Sequence, residues 1–192
     1  MEEKSKKSTN TKQAKIEVLL TDLKSNNTSK IKIALEALKI VGEPSSLSQI
    51  IVQLNPSGPS EKNSLILEFL SCLKDRKARK VMMDLIQHQD LNALQQLLLS
   101  TIWNSPLDYT DYLEVFVELA IKGDFMVSLE CLTIIENLDG PFSEKSVMES
   151  QVLLGEYADS NPDKNSQKGA LMSEIALLIQ DFQRLIDVED DL

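Results

Sequence analysis

Residues 38–54 read Leu38-Lys-Ile-Val-Gly-Glu-Pro-Ser-Ser-Leu-Ser-Gln-Ile-Ile-Val-Gln-Leu54. A helical apolar pattern, Ile31, Leu35, Leu38 and Val41, runs into this stretch and stops at Gly42, a good C-terminal signal. Pro44 then opens a short second helix with Leu47, Ile50, Ile51 and Leu54 on one side. Two helices joined by so short a corner must lie antiparallel. The window returns without a gap, shifted by 32 residues, as Leu70-Ser-Cys-Leu-Lys-Asp-Arg-Lys-Ala-Arg-Lys-Val-Met-Met-Asp-Leu-Ile86. Asp75 stands for Glu43, Ala78 for Ser46, Met82 and Met83 for Ile50 and Ile51, and Ile86 for Leu54. Lys74, Arg76 and Arg79 replace Gly42, Pro44 and Leu47.

A wider rhythm surrounds this pair. Leu35-Glu-Ala-Leu38, Leu67-Glu-Phe-Leu70, Leu94-Gln-Gln-Leu97 and Leu129-Glu-Cys-Leu132 fall 32, 27 and 35 residues apart, each in the first helix of a hairpin. Leucines three apart share a face, which leaves the intervening Glu or Gln for solvent. The helix-Gly-acidic-Pro-helix arrangement at 38–54, with its apolar triplet, resembles the HEAT-like repeat. The likeness covers about residues 29–88; from 90 to 159 only the helix-turn-helix rhythm persists, with longer turns and Gly140-Pro141, and the Asp and Arg pair usual in the family's second helix is not evident. The resemblance implies an all-α fold, an α-α superhelix (HEAT-like solenoid) of about four stacked antiparallel hairpins. In that family the second helices line a concave side that commonly holds a partner. A hairpin of this size has too little apolar surface to fold alone, so neighbours must stack on it.

The remaining chain continues the pattern. Apolar helical runs cover about 13–25, 60–74, 77–88, 90–103, 109–122, 124–138, 143–159 and 166–187, and no segment shows the strict alternation of a half-buried strand. Thr28 or Ser29 can cap the helix that follows Asn26-Asn27, and Ser60 with Glu61 starts the one after the loop Asn55-Pro-Ser-Gly-Pro59. The expected organisation is a flexible charged tail over 1–12, one helical-repeat domain over 13–187 and an acidic tip over 188–192.

Composition narrows the function classes. Net charge is −10, but residues 1–80 carry 15 Lys/Arg against 9 Asp/Glu, whereas 81–192 carry 5 against 21. So acidic a surface disfavours nucleic acid, whose binding rests on cations that neutralise phosphates. The same polarity can orient a protein partner, or a second copy through the basic first half and acidic second half. The N-terminus has no apolar core of a secretory signal, and no run approaches the roughly 20 apolar residues of a membrane span. A cytoplasmic protein is expected, with Cys72 and Cys131 acting as small buried hydrophobes.

Catalytic chemistry finds no foothold. His88 is the single histidine. It ends a helix, where a ring N–H can satisfy carbonyls, and it cannot build a multi-histidine metal site. There is no GxSxG, no GxxxxGK[ST] and no GxGxxG, so no enzyme, metal or cofactor is expected. Asp111, Glu114 and Glu118 share a helix face with Lys122 next to them, either a landing site for a cationic partner or a solvated face. Lys74, Arg76, Lys77, Arg79 and Lys80 form the basic cluster, read as a charged turn and helix start. Trp103 is assigned to the core, while Tyr109 and Tyr112 suit either a hairpin corner or an interface.

The leading expectation is a non-enzymatic protein-interaction or scaffold module. Its candidate partner-binding residues are Lys77, Lys80, Asp84, Tyr109, Asp111, Tyr112, Glu114 and Glu118. The alternatives are a nucleic-acid-handling helical repeat, as in HEAT-like DNA glycosylases, and a small-molecule enzyme on such a scaffold, as in bilin lyases.

Overall fold

The computed structural model describes residues 2–25, 27–57, 60–88, 92–160 and 166–190. Asn26, Gly58, Pro59, Asp90, Asn161, Pro162 and the last two residues of the acidic tip lie outside them. The chain is all-helical, with no strand among the described residues. The helices are α1 Glu2–Asp22, α2 Thr28–Val41, α3 Leu47–Ile51, α4 Glu61–Ser71, α5 Arg76–Gln87, α6 Asn92–Leu99, α7 Leu113–Lys122, α8 Phe125–Glu136, α9 Glu144–Ser160 and α10 Gln167–Asp190. Single 3-10 turns, Pro44–Ser46 and Thr110–Tyr112, lead into α3 and α7.

Helix α1 begins at Glu2, well before the apolar pattern that starts near Gln13, so residues 2–12 are helical. At the other end α10 carries the helix through Val188 to Asp190. The caps follow side-chain chemistry. Asn27, not Thr28 or Ser29, caps α2, its Oδ1 accepting from the Lys30 N–H at 3.1 Å. Ser60 Oγ accepts from the Asn63 N–H at 3.0 Å and Asp75 Oδ1 from the Lys77 N–H at 2.9 Å, which starts α4 and α5. Each such cap is worth about 1 kcal/mol because it satisfies a donor that the helix cannot.

The chain forms two compact units, Met1–His88 with Ser105–Leu107, and Gln89–Asn104 with Asp108–Leu192. In the first, α1 packs on α2, α2 on α4, and α3 on α5. First helix thus meets first helix and second meets second. The 32-residue offset survives as burial: Leu38 and Leu70, Ser46 and Ala78, Ile50 and Met82, Ile51 and Met83, Leu54 and Ile86 are all buried. Full burial of one such large aliphatic side chain contributes about 1.5–3 kcal/mol. Asn63, at the offset from Ile31, is also buried. Its Nδ2 donates to the Asn55 carbonyl at 2.7 Å and its Oδ1 accepts from the Asn55 N–H at 2.9 Å. That reciprocal pair ties Asn55 onto α4.

In the second unit α6 packs on α8, α7 on α8 and α9, and α10 on α8 and α9. Phe116, Val117, Val127, Cys131, Ile135 and Ile175 form its dry interior. The Leu94-Gln-Gln-Leu97 phrase departs from the expected register. Gln95 is buried while Leu94 and Leu97 are half-buried, and Leu98 and Leu99 carry the core contact instead. Gly123 ends α7, its N–H donating to the Leu119 carbonyl at 2.8 Å. Lys168 of α10 reaches the same end, its ammonium donating to the carbonyls of Ile121 at 2.7 Å and Gly123 at 2.6 Å. Cationic donors at a helix C-terminus satisfy the last carbonyls and complement the dipole. Ser128 Oγ adds a link from α8 to the Ala120 carbonyl at 2.8 Å. Gly140, at φ +70°, takes the left-handed turn before α9, and Phe142 stacks on Phe182 with centroids 4.0 Å apart.

Candidate functional site

A cavity of about 470 Å³ opens in the first unit between two corners, the α2–α3 turn at 42–44 and the α4–α5 turn at 72–75. These are the corners related by the 32-residue offset. Leu38, Leu47, Ile50 and Phe69 form its buried floor. The space exists because positions 42, 46 and 78 carry Gly, Ser and Ala. Lys39, Glu43, Lys74 and Asp75 supply the charges at its rim, and the exposed thiol of Cys72 lines it too.

Most of that rim charge is already engaged. Lys39 Nζ lies 2.8 Å from Glu36 Oε1, and this hydrogen bond raises the lysine above its ordinary pKa against the opposing effect of burial. Glu43 Oε1 pairs with Lys12 Nζ at 2.9 Å. Asp75 is committed to capping α5. Lys74 has no such partner among the described residues.

The residues that the sequence singled out divide between the units. Lys77, Lys80 and Asp84 lie on the outer face of α5 in the first, all exposed, with Lys80 Nζ 2.9 Å from Asp84 Oδ2. Exposed i,i+4 pairs of this kind contribute only about 0.3–0.5 kcal/mol. Asp111 is exposed in the second unit, Tyr112, Glu114 and Glu118 are half-buried, and Glu118 pairs with Lys122. Tyr109 is buried, at 3% exposure, with its ring centroid 6.3 Å from that of Tyr112. It serves the hairpin corner and offers no ring to a partner. Glu114 Oε2 and Thr110 Oγ1 are buried without a hydrogen-bond partner among the described residues.

Three assignments are corrected. Trp103, expected in the core, is 47% exposed, because α6 ends at Leu99 and the following turn carries the ring outward. Cys72 is exposed as well, since α4 ends at Ser71 and leaves it at the C-cap; only Cys131 is buried, which pushes its thiol far above the usual range. Gln95 goes inside, as described above. His88 meets expectation: its Nδ1 lies 2.5 Å from the Asp84 carbonyl at the end of α5, so that nitrogen carries the proton.

Among the described residues no three His, Cys, Asp or Glu side chains converge as a metal site, and no helix is long and apolar enough to cross a membrane. Comparison with protein-family models, curated proteins and solved structures finds no match to this chain. The cavity had no signal of its own in the sequence. The 32-residue offset was its nearest trace, because it marks the two corners that face each other.

Proposed function

We propose that the chain is a non-enzymatic protein-interaction module of the HEAT-like type, its hairpins stacked as an α-α superhelix. The observation that carries this reading is the like-on-like packing of the first unit. Two consecutive hairpins bury equivalent positions at a constant offset, and α2 meets α4 while α3 meets α5. Hairpins related in this way add side by side and leave the outer faces of their second helices as a continuous ribbon. On that ribbon α5 presents Arg76, Lys77 and Lys80, a cationic strip suited to an acidic protein surface. The acidic second half supports a second copy of the chain as one such partner.

Two experiments test this. Small-angle scattering on the monomer should give a radius of gyration clearly above the about 16 Å of a compact chain of this length. Charge reversal, Lys77→Glu with Lys80→Glu, should abolish capture of partners from the native host while leaving stability within about 0.5 kcal/mol, since both side chains are exposed. A compact radius removes the superhelix. A captured set that charge reversal leaves unchanged removes the α5 strip.

A further inference from the structure

We propose that the cavity between the two corners of the first unit binds a small amphipathic anion, an apolar body with a single carboxylate-type head. The site is independent of any protein docked on the outer face of α5.

The volume sets the scale. About 470 Å³ falls within the roughly 300–1,000 Å³ range of small-ligand sites, which combine an apolar lining with a few placed polar groups. The floor of Leu47, Ile50 and Phe69 is apolar and almost wholly withdrawn from water. An extended polar ligand placed there would lose hydrogen bonds to water that those side chains cannot replace. The body of the ligand is therefore apolar.

The rim sets the sign of the head. Two cations and two anions line it, so a simple count gives no preference. Their engagement does. Glu43 is held by Lys12, Asp75 caps α5, and Lys39 is held by Glu36, which leaves the Lys74 ammonium to meet an incoming charge. A cationic head would be repelled by Lys74 and would meet carboxylates that already have partners, and a neutral one would gain less from Lys74 than a carboxylate does.

The opening is a property of three small residues. At Gly42 a Cβ would come within 2.4 Å of the Leu38 carbonyl oxygen, so this corner excludes a side chain altogether. Ser46 and Ala78 are buried small side chains at equivalent places in the two hairpins. A larger residue at 78 would fill the space directly. Cys72 is an exposed thiol in the same lining, which makes it a built-in reporter of occupancy.

The test uses decanoate on the full chain, with decanol and decyltrimethylammonium as matched neutral and cationic probes, followed by calorimetry and by alkylation of Cys72 with a maleimide. The expected result is saturable binding of one decanoate per chain, with slower alkylation of Cys72 when it is bound. Decanol and the ammonium probe should each bind at least about tenfold more weakly, as should decanoate to Lys74→Glu, in line with losing one charged contact. Ala78→Leu should abolish binding. Should that variant fail to fold, Lys74→Glu and the Cys72 protection still decide the matter, because Lys74 is exposed. Absence of saturable decanoate binding overturns the proposal. So does equal binding of decanol, an unchanged affinity in Lys74→Glu, or alkylation of Cys72 at the same rate with and without decanoate.

Discussion

Replacing Gly123 by Ala tests the α7–α8 corner directly. A Cβ at this position would stand 2.3 Å from Val127 Cγ1, 2.5 Å from Val127 Cβ and 3.0 Å from the Leu119 carbonyl oxygen. Carbon atoms rest at about 3.5–4.0 Å, so the overlap exceeds about 1 Å. Val127 cannot step aside. It is completely buried on the first turn of α8, and a β-branched side chain in a helix has essentially one rotamer. The backbone of the corner must move instead, and the Gly123 N–H bond to Leu119 and the two Lys168 bonds depend on its position. Overpacking of this kind costs about 1–3 kcal/mol. The stiffer unfolded chain of the alanine variant offsets about 0.4–1 kcal/mol. A net loss of about 1–2 kcal/mol is expected, or roughly 2–8 °C in melting temperature for a chain of this size.

Gly155 supplies the control. It lies inside α9 with nothing within 4 Å of its would-be Cβ, so Gly155→Ala should stabilise by about 0.5–1 kcal/mol. Urea unfolding of both variants gives two shifts of opposite sign at unchanged slope. The cause is isolated by a double-mutant cycle with Val127→Gly, which removes the obstructing Cβ together with its methyl groups. The Gly123→Ala penalty should shrink by at least about 1 kcal/mol in that background. A neutral or stabilising Gly123→Ala, or a penalty that persists undiminished in the Val127→Gly background, would refute the account of this corner.

Asn63→Ala should cost about 2–4 kcal/mol in urea unfolding, because it strands the Asn55 N–H and carbonyl that the buried amide now satisfies; a cost under about 0.5 kcal/mol would show that water replaces it freely. Thiol titration with an aromatic disulfide near pH 8 should count one reactive cysteine in the native chain, Cys72, and two in denaturant, while two native thiols would contradict the burial of Cys131. Glu130 has its pKa raised by burial, against a hydrogen bond from Gln96 that lowers it. With the folded value above the unfolded one, ionised Glu130 costs stability at neutral pH, and the cost fades as pH falls through the raised value to below the unfolded carboxyl pKa of about 4.3. Glu130→Gln should therefore stabilise at pH 7 and match the wild type at about pH 3.5, and an equal gain at both values would point to packing instead.

Short-range chemistry made the helices legible. Leu35, Leu38, Met82 and Ile86 announce an inward face by their spacing alone, and Ser60, Gly42 and Gly123 mark helix ends through hydrogen bonds that close within four residues. The start of α1 was not legible. Residues 2–12 hold no apolar period, and helix continues there on the propensity of Glu and Lys rather than on pattern. The candidate surface was legible in part. Lys77, Lys80 and Asp84 lie outside, as charged residues opposite Ala78, Met82 and Ile86 must, but Tyr109 went in and Trp103 came out. Aromatic type says little about side, because a large ring suits a packed corner and an exposed one equally.

The sequence by itself determined that this protein is helical, where most of its helices begin and end, and that two consecutive hairpins share one burial pattern at an offset of 32 residues. All of that rests on periods and caps that operate within a turn or two of helix. The tertiary structure alone decided that Cys72 is exposed and Cys131 buried, that Lys168 closes the end of a helix 45 residues earlier, and that two corners leave a cavity between them. Those outcomes depend on which remote segment covers a given face and how completely. A face can be read from the spacing of its own residues, but its cover comes from elsewhere in the chain.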